Sequence, residues 1–160
     1  MAGAAWKAYA WEQATWPEYR KIVVTRMEQE KYAKKLVRHF KTPPVDIKQS
    51  YRRGGAGCYH PKLDRVFKPM TREQIGKPTL AGGVIKMGRV GNLGTLIHEF
   101  AHHLEYYKYG KGGHRKTFKR CLKRVYKWSK RWLPKESSHG EVGQVTTGAE
   151  MPEARVLVEV

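Results

Sequence analysis

Five consecutive residues, His98-Glu99-Phe100-Ala101-His102, combine two imidazoles with one carboxylate. Four residues make slightly more than one α-helical turn, so on a helix His98 and His102 share a face, about 6 Å apart along the axis. Two imidazoles so placed can reach one zinc ion. Glu99 lies roughly 100° further round, suited to address a water at the metal rather than the metal itself. The chemistry implied is hydrolysis. Glu99 takes a proton from the attacking water and passes it to the leaving group, while zinc lowers that water's pKa and polarises the scissile carbonyl. The alternative is an ordinary helix carrying a short motif by chance.

The motif needs a helix, and its surroundings predict one. Leu93, Leu96, Ile97, Phe100, Ala101 and Leu104 recur at three- and four-residue spacings, the mark of a core-facing stripe. Asn92 or Thr95 can cap the start, and Gly110 can stop the helix after Tyr109. The expected length is roughly sixteen residues.

Catalytic zinc takes three protein ligands and keeps a fourth position for water. A metzincin would have glycine three and histidine six residues after His102; Glu105 and Lys108 stand there instead, which excludes that class. His114 is the expected third ligand. Gly112 and Gly113 precede it and let the chain turn back, so that His114 opens the next helix facing the metal. The alternative is a solvated loop histidine. His103 points about 100° away from His102 and reads as a supporting or surface residue. Glu105 reads as a surface carboxylate, with support of a metal-bound histidine as the alternative, and His39, His60 and His139 as ordinary polar positions. No oxyanion stabiliser can be chosen among Tyr106, Tyr107 and Tyr109.

With His98-Glu99-Phe100-Ala101-His102, then Gly113-His114, then Phe118 four residues on, the chain resembles the SprT-like (Spartan-type) zinc metalloprotease domain. The family places Gly-His-Gly before that aromatic; here Arg115 replaces the second glycine. The resemblance covers roughly residues 17–132. It implies a zincin-like α+β domain in which an N-terminal helix and a small antiparallel or mixed sheet precede the H-E-x-x-H helix and a basic helix. It also implies Zn²⁺ held by His98, His102 and His114, Glu99 as the catalytic base, and a strand edge beside the metal that holds the substrate backbone. Two cysteines, Cys58 and Cys121, are too few for the zinc ribbon of some members.

Charge is the second informative feature. The 160 residues hold 32 Lys and Arg against 14 Asp and Glu, for +18. Residues 136–160 alone carry −4, which leaves +22 on residues 1–135. From His114 to Trp132 a helix is expected, with Phe118, Leu122, Val125, Trp128 or Ser129, and Trp132 as its apolar stripe. Its other positions are Arg115, Lys116, Lys119, Arg120, Lys123, Arg124, Lys127, Lys130 and Arg131, with no acid among them. A solvated face normally mixes both signs, whereas nine like charges favour a polyanion. Nucleic acid is the leading partner, with DNA ahead of RNA and a membrane surface the weaker candidate; Tyr126, Trp128 and Trp132 are available to stack on bases, although core packing claims at least some of them first.

Elsewhere, residues 3–14 read as weakly helical. Thr15-Trp16-Pro17-Glu18 reads as a cap opening one long helix to Phe40, which Pro43-Pro44 ends. Val45–Tyr51 and Ala56–His60 read as strands joined by a hairpin turn at residues 54–57. A short strand is expected at Arg65–Lys68 and a longer one at Gly83–Val90. The division expected is a catalytic domain at 1–134 and a flexible acidic tail at 135–160, with a short strand at Arg155–Val160. No apolar run is long enough to span a membrane, no secretory signal opens the chain, and the two cysteines suggest no disulfide framework. The expectation is a monomeric enzyme of the cytoplasm, associated with DNA or the nucleoid, acting on protein substrates. Two rivals remain: a nucleic-acid-binding structural protein with a non-catalytic zinc site, and a zinc hydrolase whose substrate is not a protein.

Overall fold

The computed structural model describes residues 4–50, 57–64 and 79–132. It is a mixed α+β fold in which two small sheets pack beside helices. The expected turn at residues 54–56, the Arg65–Lys68 strand, His139 and the tail from residue 133 lie outside the described residues.

Helix α1 (Ala4–Thr15) confirms the weak N-terminal signal. The expected long helix to Phe40 is instead broken into a turn α2 (Glu18–Lys21), a strand β1 (Val23–Thr25) and α3 (Arg26–Phe40). The reason is local. Thr15 does not cap; its hydroxyl donates to the Trp11 carbonyl inside α1. The working capping box is Thr25 with Glu28, and β-branched Val23-Val24-Thr25 ahead of it suits a strand. β1 pairs antiparallel with β5 (Val90–Asn92).

The second sheet has the order β2-β4-β3, with β2 at Val45–Gln49, β3 at Cys58–Asp64 and β4 at Thr79–Met87. β2 runs parallel to β4, and β3 antiparallel to it. Because β4 lies between them, β2 and β3 do not form the expected hairpin. Among the described residues β3 is an edge strand.

Helix α4 (Leu93–Tyr109) is capped by the Asn92 side chain, which accepts from the Thr95 N–H, and ends at left-handed Gly110. Helix α5 (Lys116–Ser129) starts two residues later than expected and passes into a 3₁₀ turn at Lys130–Trp132. The core gathers Leu96, Ile97, Phe100 and Leu104 of α4, Phe118, Leu122 and Val125 of α5, Leu36 of α3, and Ile85 and Met87 of β4. Among the described residues no helix is long and apolar enough to cross a membrane.

Candidate metal centre

Helix α4 places His98 and His102 one turn apart, and the bend between α4 and α5 brings His114 back to them. One nitrogen from each of the three imidazoles lies within 4.8 Å of the others. His114 acts from the bend before α5 rather than from its first turn, since Arg115 is the N-cap. That bend is held by Glu105. Its carboxylate accepts from the Thr117 hydroxyl at 2.5 Å and from the Gly113 N–H. Gly113 has φ +149°, a conformation that favours glycine. Glu105 is therefore buried and tied to the loop, not a surface carboxylate.

Two groups missed by the sequence reading come from α1, a segment outside the SprT-like resemblance. Glu12 is 1% exposed and accepts the His98 Nδ1–H at 2.6 Å. Its other oxygen accepts from the Tyr126 hydroxyl at 2.5 Å, and Arg20 stands 4.0 Å away. Tyr9 stacks on the His98 ring at 4.4 Å and 11°. Burial, then Glu99 and Glu12, push its phenol up to about 12, so it stays a neutral donor. Phe118 stacks on His102 at 4.3 Å and lies 4.9 Å from the His98 and His114 rings.

The donor set fits a metal on physical grounds. With Nδ1–H given to Glu12, His98 turns the lone pair of Nε2 inward. His98 and His114 present their Nε2 atoms 3.2 Å apart, close to the roughly 3.4 Å between nitrogens bound about 2.1 Å from one tetrahedral zinc. Burial, then His98 and His114, hold His102 down to about 3; burial and then His98 lower His114 as well. Both are thus neutral at pH 7, the form that binds a metal.

Glu99 is 3% exposed. Burial pushes its carboxyl up to about 7, while His98 and the Tyr59 backbone N–H pull it down. The chain entering β3 presses on it: a Cβ at Gly57 would stand 2.9 Å from Glu99 Cγ and 2.7 Å from Thr95 Cγ2. His103 is neither ligand nor surface residue. It is fully buried, donates from Nε2 to the Pro43 carbonyl at 3.0 Å and accepts the Tyr59 hydroxyl at Nδ1 at 3.0 Å.

The nine basic residues are solvent-facing except Lys119, which is half-buried. They point to both flanks of α5. Lys119 and Lys123 lie over Trp11, whereas Arg124 lies over Phe40 and Arg131 over Trp128. Of the three aromatics, core packing claims Tyr126, which is fully buried against Trp16 and Tyr19 and so cannot stack on bases. Cys58 and Cys121 are free thiols.

No family model matches the chain, and no curated protein or solved structure matches it.

Proposed function

We propose that this chain is a zinc-dependent metallopeptidase of SprT-like, zincin-like type that hydrolyses peptide bonds of DNA-associated proteins. The observation that carries the reading is a buried carboxylate, Glu99, held beside three convergent histidines and not needed as a ligand. A purely structural zinc site would use a fourth protein ligand instead.

Zinc, when bound by His98, His102 and His114, would lower the pKa of a water and polarise the scissile carbonyl. The chain's own groups supply the rest. Glu99, with a carboxyl near 7, is matched to accept a proton from the attacking water and deliver it to the leaving amine at neutral pH. The Tyr59 N–H fixes the carboxylate. Glu12 fixes the His98 ring and its tautomer. β3, an edge beside Glu99, suits an extended peptide that adds as a further strand.

The basic helix supports the second reading, a nucleic-acid-binding protein with a non-catalytic zinc site. One experiment separates the two: zinc content by elemental analysis, together with cleavage of a generic unfolded protein with and without DNA. One zinc per chain with cleavage abolished in Glu99→Gln supports the peptidase. Zinc without cleavage supports the second reading.

A further inference from the structure

The basic surface does not end with α5. Along α3, Lys31, Lys34, Lys35 and Arg38 fall at positions i, i+3, i+4 and i+7, which align on one helix face. All four are exposed. They line a hollow of about 400 Å³, and Lys35 and Arg38 continue into a second of about 370 Å³. The far wall of the second is Arg131 with Trp128 and Trp132, from the C-terminal end of α5 and the turn after it. The second hollow thus lies between α3 and the end of α5, and the first, on α3 alone, extends it along the helix.

Three observations give the groove a partner. First, its cations outnumber the acids beside them. Among the described residues none of Lys31, Lys34, Lys35, Arg38 and Arg131 has a carboxylate within ion-pair distance. The nearby acids are already engaged: Glu30 by Arg26 at 2.7 Å, Asp46 by Lys62 at 2.5 Å and Glu28 by the Thr25 cap, although Lys31 also acts on Glu28. Like charges on facing walls repel, and a polyanion removes that cost. Second, the floor is rigid and already stacked. His39 lies on the Trp128 ring at 4.5 Å and 20°, the Arg131 guanidinium is 4.4 Å from that ring, and Trp132 packs on Tyr32 at 4.5 Å. Such a floor offers shape and charge rather than open faces for bases. Third, the groove is remote from the histidines. α5 rises about 1.5 Å per residue, so its far end lies roughly 20 Å from His114.

We infer that the α3–α5 groove is a sequence-independent site for a nucleic-acid phosphodiester backbone, with Lys35, Arg38 and Arg131 as principal phosphate contacts. It deepens the nucleic-acid part of the proposed function. It also moves the expected contact away from Arg115, Lys116 and Lys119 beside the metal. A polymer bound there tethers the enzyme near proteins on the same strand and leaves the cleft open.

The test is fluorescence anisotropy of a labelled single strand and the matching duplex, titrated with the full chain at several salt concentrations. Each phosphate contact adds about 0.9 to the slope of log K against log salt for duplex and about 0.7 for a single strand. The variant Lys35→Glu/Arg38→Glu/Arg131→Glu is expected to flatten either slope by about 2 to 3 and to cost at least tenfold in affinity at low salt. The control variant Arg115→Glu/Lys116→Glu/Arg120→Glu is expected to cost less. The milder Lys34→Gln/Lys35→Gln, confined to the exposed face of α3, should lower the slope even if the triple variant folds poorly. Wild-type affinity and slope in the groove variants, or a greater loss in the control, overturns the assignment. Absence of wild-type binding at low salt overturns it too. Zinc content and protein cleavage, measured on the same samples, show independently whether the peptidase reading stands.

Discussion

Glu12 Oε2 lies 2.6 Å from His98 Nδ1, across 86 residues of sequence and with both side chains 1% exposed. A carboxylate so placed sets the tautomer and orientation of the imidazole and raises its basicity toward a metal. Glu12→Gln keeps the shape and removes the charge. It is expected to lower zinc affinity about 10- to 100-fold while leaving the far-ultraviolet spectrum unchanged, measured by competition with a chromophoric chelator. Unchanged affinity would mean that the carboxylate serves only Tyr126.

Glu99→Gln should retain zinc and the fold but lose about 10²- to 10⁴-fold in rate, because an amide cannot accept the water's proton. Turnover of a quenched-fluorescence protein substrate by zinc-loaded samples measures this. Turnover equal to wild type would remove Glu99 from the chemistry.

The loop that delivers His114 hangs on Glu105. Glu105→Ala is expected to weaken zinc binding without touching a ligand, while Glu105→Gln, which still accepts from Thr117 and Gly113, should spare it. The pH dependence of stability has a definite sign. Burial raises the folded carboxyl pKa, and Oε2 has no hydrogen-bond partner among the described residues. Between the ordinary carboxylate range and the raised value the folded chain binds more protons than the unfolded one, so this residue's contribution to stability falls as pH rises. The melting temperature of Glu105→Gln should therefore exceed wild type at neutral pH and converge with it below about pH 4. A pH-independent difference would contradict this account.

Cys121 is buried, and burial pushes its thiol up to about 11. Thiolate is the reactive species, so native protein should label rapidly at Cys58 alone and at both cysteines in denaturant. Peptide mapping after a short alkylation pulse reads the outcome, and rapid native labelling of Cys121 would show that the α4–α5 packing opens.

The parts of the centre legible in the sequence were those carried by local periodicity. His98 and His102 follow from one helical turn, and Asn92 and Gly110 mark the ends of α4 by their own backbone chemistry. His114 required only that a turn be inferred from adjacent glycines. Glu12 and Tyr9 had no such signature, because their contacts reach across the chain and α1 repeats no strong apolar pattern. Residues 15–25 were misread for a related reason. Ile22 and Val23 fall in phase with α3, and only the pairing of β1 with distant β5 makes a strand there. The β2–β3 hairpin failed likewise, since β4, far along the chain, inserts between the two.

The hydrogen bond from Tyr126 to Glu12 joins residues 114 apart, and this has a consequence for the timing of synthesis. Translation proceeds at roughly 5–20 residues per second, so about 6 to 23 s separate the emergence of the two groups. Until His114 is made, the nascent chain lacks one of the three histidines. Until Tyr126 is made, the carboxylate that orients His98 lacks its buried donor. A nascent chain that has not yet released Tyr126 is therefore without the finished arrangement, and the three-histidine cluster is complete only once the chain has passed His114.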